Sequence, residues 1–126
     1  MPLIEKEVRD YLIAQVSDLN ENNCTVGVLP AATKANSLNM KAAAVYSNGG
    51  ESEERIRIRV MTRDTRFSGA MDLANDIYTA LHRLHTTNLV TYALYMVIGQ
   101  RPQQSGREEN GGFLTSADYL IEFRSL

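Results

Sequence analysis

The stretch Arg55-Ile56-Arg57-Ile58-Arg59-Val60-Met61 alternates strictly, with Ile56, Ile58 and Val60 on one side of an extended chain and three arginines on the other. That period of two predicts a half-buried strand. After a short linker, Thr62 to Phe67, the period changes. Ala70, Leu73, Ala74, Ile77, Tyr78, Leu81 and Leu84 recur at three- and four-residue steps, which sets them along one stripe of a helix. A strand and a helix with one apolar face each are expected to bury those faces together. This pair predicts the core, with the arginine row left outside it.

Upstream, Pro2 to Leu19 reads as a helix. Ile4, Val8, Tyr11, Leu12, Val16 and Leu19 share one arc, Glu5 and Arg9 stand at the i, i+4 spacing of an ion pair, and Ile13 falls on the polar side. The amides Asn20-Glu21-Asn22-Asn23 stop it. Cys24 to Leu29, closed by Pro30, predicts a strand, and Ala31 to Leu38 a loop. Met40 to Ser47 contains the helix-prone Ala42-Ala43-Ala44, but it is short and ends in Val45-Tyr46, so a strand is expected. Asn48-Gly49-Gly50 suits a hairpin connection, extended into solvent by Glu51-Ser52-Glu53-Glu54.

The central helix is read with Ser68 as its N-cap, Asp72 in its first turn, and His82, Arg83 and His85 at its C-terminal end. Leu89 to Ile98 is apolar on both faces except at Thr91, which predicts a strand that is central or covered on both sides, with helices on one side and room for a neighbouring subunit on the other. Gln100 to Gly112 has no apolar residue and predicts a flexible polar hairpin loop. Leu114 to Arg124 returns as a strand. The order α-β-β-β-α-β-β places the chain in the α+β class, with a mixed or antiparallel sheet of about four to five strands and two main helices on one face. The 126 residues suit one domain.

Composition narrows the function. A net charge of -2 and a pI near 5.7 give no global attraction to nucleic acid or anionic lipid. The single cysteine, Cys24, excludes an intramolecular disulfide. No apolar run approaches the roughly 18 residues of a membrane helix, and no secretory signal is visible, so an intracellularly made product without a membrane partner is expected.

A catalytic reading finds no footing. Cys24 opens an apolar strand, where burial suits it better than nucleophilic attack. His82 and His85 lack a third ligand at metal spacing, Asp72 and Asp76 point to the polar side of their helix, and no glycine-rich strand-to-helix loop exists for phosphates. No catalytic, metal or cofactor residue is assigned. The arginines are the best candidate surface: Arg55, Arg57 and Arg59 stand about 6.6 to 7 Å apart along one strand face, with Arg63 and Arg66 beyond. They fit a solvated face, a protein interface, or a phosphate-tracking stripe, although the last usually comes with positive net charge and stacking aromatics.

Several strings together resemble the tail terminators, or tail-to-head joining proteins, of long-tailed bacteriophages, sometimes labelled minor capsid proteins. They are the helix Ile4 to Val16, Asn48-Gly49-Gly50 before Arg55 to Val60, Asp76-Ile77-Tyr78-Thr79-Ala80-Leu81, Gly99-Gln100-Arg101-Pro102, the polar loop, and Tyr119-Leu120-Ile121-Glu122-Phe123. The resemblance implies a non-catalytic α+β subunit of the virion neck, assembled in the host bacterial cytoplasm. It implies a ring, commonly a hexamer, that caps the head-proximal end of the tail tube, stops its polymerisation and docks to the head. Its partners would be other copies of itself, the tail tube protein and the head or neck connector proteins, with DNA only passing through. By this analogy the loop, with Arg101, Gln103, Gln104, Arg107, Glu108 and Glu109, is a candidate docking element. Another head-completion or connector protein, or a small nucleic-acid-binding domain, are the competing readings.

Overall fold

A computed structural model describes residues 3–29, 41–47, 55–108 and 111–126. The expected loop at Ala31 to Leu38, the Asn48-Gly49-Gly50 connection, the acidic run to Glu54, Glu109, and the roles of Pro2 and Pro30 lie outside them. The elements are α1 (Ile4–Gln15), β1 (Cys24–Val26), β2 (Ala42–Ser47), β3 (Arg55–Asp64), α2 (Phe67–Leu81), β4 (Thr87–Asn88), β5 (Tyr92–Gly99), β6 (Gln103–Arg107) and β7 (Phe113–Ser125). The strands form one mixed sheet of order β1-β2-β3-β7-β5-β4, with β6 also paired to β7. Among the described residues only the β1–β2 pairing is parallel. The α+β reading is right in class. Among the described residues the sheet has seven strands, where about four to five were expected.

Alternation makes the core. Ile56, Ile58 and Val60 of β3 and Ala117, Tyr119 and Ile121 of β7 point to the side where α1 supplies Val8 and Leu12 and α2 supplies Leu73, Ile77 and Leu81. The register pairs Val60 with Ala117, Ile58 with Tyr119 and Ile56 with Ile121, so apolar residues meet apolar residues across the ladder. Met40 to Ser47 resolves as a strand from Ala42 onward: Ala43 and Val45 sit in the core, and small side chains let α1 come close.

The boundaries depart from expectation for local reasons. β3 runs to Asp64, not Met61, because its alternation continues through Thr62, whose hydroxyl donates to the Ala70 carbonyl at 3.0 Å and meets Thr115 Oγ1 across the ladder. The helix α2 follows with Arg66, not Ser68, at its N-cap and without a side-chain cap; Asp72 therefore falls past the first turn. It ends at Leu81 rather than Leu84, since Arg83 takes φ 65° and its N–H donates to the Val97 carbonyl of β5 at 2.8 Å. The segment Leu89 to Thr91 turns between β4 and β5 instead of extending β5.

At the N-terminus α1 stops at Gln15, and Ile13 is half-buried against the core rather than on a wet face. Arg9 does not hold Glu5 in place; it pairs with Asp10 at 2.8 Å and donates to the Cys24 and Glu21 carbonyls, tying α1 to β1. Asn20 Oδ1 accepts from the Asn22 and Asn23 N–H groups, the amide-driven turn that the sequence predicts. Glu7 crosses the fold: its Oε1 accepts from Thr91 N–H at 2.6 Å.

Candidate functional site

The outer face of the sheet, away from the helices, carries the arginines in cross-strand rows. Arg55 stands opposite Glu122 and pairs with it at 3.2 Å; Arg59 stands opposite Asp118 and grips it with two bonds, 2.8 and 3.3 Å. The Asp118 carboxylate raises the Arg59 guanidinium above its ordinary value. Between them Arg57 stands opposite Leu120 and has no ion-pair partner among the described residues. Two of three charges are thus matched within the chain, which leaves a phosphate-tracking stripe with little to offer.

Arg63 departs from the row. It is 2% exposed, with Nη1 3.6 Å from Glu108. Ala42 and Ala44, which share its outer face, are buried as well, so the outer face is covered at this end of the sheet. Arg66 is exposed at the start of α2. The five arginines therefore do not form one surface: Arg55, Arg57 and Arg59 share a ladder, Arg63 lies inside, and Arg66 stands at a helix end.

The stretch read as a polar loop holds a strand. β6 pairs antiparallel with β7, Gln103 opposite Ser116 and Arg107 opposite Phe113, so backbone hydrogen bonds order a segment that has no apolar residue to bury. Arg101, Gln103, Gln104 and Arg107 are exposed along it, Arg107 lying 4.8 Å over the Phe113 ring. Glu108 is turned inward to Arg63. Gln103 and Arg101 sit beside Arg59 and Asp118 around a pocket of about 110 Å³, so the docking candidates and the arginine row meet at one edge.

An apolar patch completes this face, and the arginine-centred reading missed it. Ile98 is 49% and Leu120 36% exposed, cross-strand neighbours in the same row as Arg57. A bulge between Leu94 and Met96 breaks the alternation and leaves both Tyr95 and Met96 exposed. The signal was legible: Leu120 is apolar in a polar register, and Leu89 to Ile98 is apolar on both sides.

Catalytic groups remain scattered. His82 stacks on Tyr78 at 4.6 Å and its Nδ1 accepts from the Gly99 N–H at 2.9 Å, a structural arrangement. Asp72 and Asp76 are exposed on α2. Among the described residues no three His, Cys, Asp or Glu side chains group to hold a metal ion, and no helix is long and apolar enough to cross a membrane. Burial pushes the Cys24 thiol up to about 11, so it stays protonated at neutral pH. A thiol-alkylating reagent at pH 8 should therefore label the native protein at least about a hundredfold more slowly than the urea-unfolded chain. Equal rates would place Cys24 at the surface.

The outer sheet face thus carries a mixed apolar and cationic surface, with both helices packed on the opposite side of the sheet. A chain in a structure of the virion of a native gene transfer agent particle superimposes with a TM-score of 0.71 at 11% identity, covering 95% of this chain and 93% of that one. No curated protein matches the sequence. A family model, bacteriophage tail terminator protein, matches residues 8–124, and the chain belongs to that family. It is a structural protein of the phage tail.

Proposed function

We propose that the protein assembles into a ring, commonly a hexamer in such systems, at the head-proximal end of the tail tube, where it ends tube growth and joins tail to head. The match of the tail terminator model across 8–124 carries this reading. The shape of the subunit supports it: a core closed by two helices on one side and a partly apolar outer sheet face on the other suits lateral contact between copies. In this reading Arg55, Arg57 and Arg59 belong to the subunit surface. Arg101, Gln103, Gln104 and Arg107 on and beside β6 serve docking to the tube protein or the neck connector proteins. The ring is assembled in the host bacterial cytoplasm, encloses the DNA path and performs no catalysis.

Electron microscopy of the purified protein, alone and mixed with tail tubes, tests this. Rings of tube diameter, or tubes capped at one end, are expected. Protein that stays monomeric and never touches a tube end overturns the reading. Binding to head-side neck particles but not to tubes would move the protein to another neck component.

A further inference from the structure

Two surfaces on opposite sides of the subunit are complementary. On the outer sheet face, Ile98 and Leu120 form an apolar row continuous with Arg57, a cation with no ion-pair partner among the described residues. On the helical side, a groove of about 560 Å³ runs between α1 and α2, lined by Tyr11, Gln15, Ser17, Asp76, Thr79 and Ala80. Asp72 and Asp76 stand exposed one helical turn apart on α2, and neither has an ion-pair partner among the described residues. One face offers an unmatched cation beside apolar side chains. The other offers unmatched carboxylates beside a half-buried tyrosine and an alanine.

We propose that these are the two halves of one contact, the sheet face of one copy seating on the α1–α2 groove of the next, with Arg57 meeting Asp76. The inference rests on the ring reading and assigns its lateral interface. Three physical points favour a second copy as the occupant. Charge is matched where each face alone leaves it unmatched. The sheet face packed on itself across a two-fold axis would bring two arginine rows together with no free acid for Arg57, so an isologous dimer is disfavoured. The two faces lie on opposite sides of the fold, so the contact is head-to-tail, the kind that forms a closed ring when the rotation from copy to copy closes, as the ring reading requires. Arg55 and Arg59, already paired with Glu122 and Asp118, then frame the contact on either side of Arg57.

Charge exchange tests it. Arg57→Glu and Asp76→Lys are surface changes, and circular dichroism with a thermal melt should show each variant folded. In light scattering after size exclusion, each single variant should raise the concentration for half-assembly at least about tenfold. The double variant, with the charges exchanged, should return to within about threefold of wild type. Leu120→Ser, which removes the apolar centre without touching charge, should also weaken assembly. If the wild type assembles and both single variants assemble as well as it does, this interface is wrong while the ring stands. The interface is equally wrong if the exchange does not restore assembly, or if the single variants keep the ring and lose only tube binding. A wild type that assembles neither alone nor on tube ends overturns the ring reading itself.

Discussion

Arg63→Ala is expected to lower the unfolding free energy by about 3 kcal/mol, although an arginine in a surface row should cost almost nothing to remove. The residue lies at the end of β3 between Ala42 of β2 and Leu114 of β7, fully covered, with its guanidinium facing Glu108. Truncation deletes the packed stem and leaves a space lined by neighbouring strands that cannot close on it without breaking their ladders. Glu108 keeps partial access to water, 28% for its side chain, so the stranded carboxylate adds less than a fully buried one would. Arg63→Met keeps the stem and drops the charge, and should recover part of the loss; the size of that recovery separates packing from the ion pair. Urea unfolding monitored by circular dichroism reads both, provided the slope m is unchanged. A shift below about 0.5 kcal/mol for Arg63→Ala would return Arg63 to the surface and make it a docking residue after all.

Arg63 also shows where sequence reasoning stops. Period two places it on the same face as Arg55, Arg57 and Arg59, and that is correct. What the pattern does not carry is which end of the outer face other parts of the chain cover, so a position that is outer in register is buried in space. The same limit hid β6. A polar run has no hydrophobic periodicity, and its order comes from backbone hydrogen bonds to β7, which any sequence can make. The core was legible because burial needs apolar side chains at fixed spacing: Ile56, Ile58 and Val60 against Leu73, Ile77 and Leu81 were all readable and all are buried. Helix ends were less so. The stop at Leu81 depends on Arg83 bonding to β5, a contact between residues far apart in the chain.

The surface was legible only in part. Pairing of Arg55 with Glu122 and Arg59 with Asp118 follows from the β3–β7 register, and register needs to know which strands are neighbours. Once it is known, one residue in the row changes character. Arg57 faces Leu120 and Ile98 instead of an acid, and a charge row becomes a cation at the rim of an apolar patch. That change moves the weight from nucleic acid to protein contact, because partnered arginines release few counterions.

Gly99→Ala is expected to cost about 2 to 3 kcal/mol, the overpacking of a site with no room for one methyl group. A Cβ there would come 2.6 Å from Tyr119 Cε1 and 2.7 Å from Cδ1, with Tyr78 Cε2 at 3.4 Å behind. None of these atoms has an easy retreat. Tyr119 is fully buried in the core, and Gly99 is its register partner across the β5–β7 ladder. Tyr78 is stacked on His82, whose ring accepts the Gly99 N–H. Adding the methyl must therefore either shift the Tyr119 ring or part the ladder at the rim of the apolar patch. Tyr119→Leu in the same chain removes the ring atoms that the methyl would meet, so the alanine should cost much less in that background. Double-mutant unfolding curves give the coupling directly, with at least about 1 kcal/mol expected. Tyr119→Phe supplies the control: its hydroxyl is buried without a hydrogen-bond partner among the described residues, and burial holds its proton on well above the ordinary tyrosine range, so removing it should be neutral or slightly stabilising. Equal cost of Gly99→Ala with and without the Tyr119 ring would show that the ring is not what excludes a side chain at position 99.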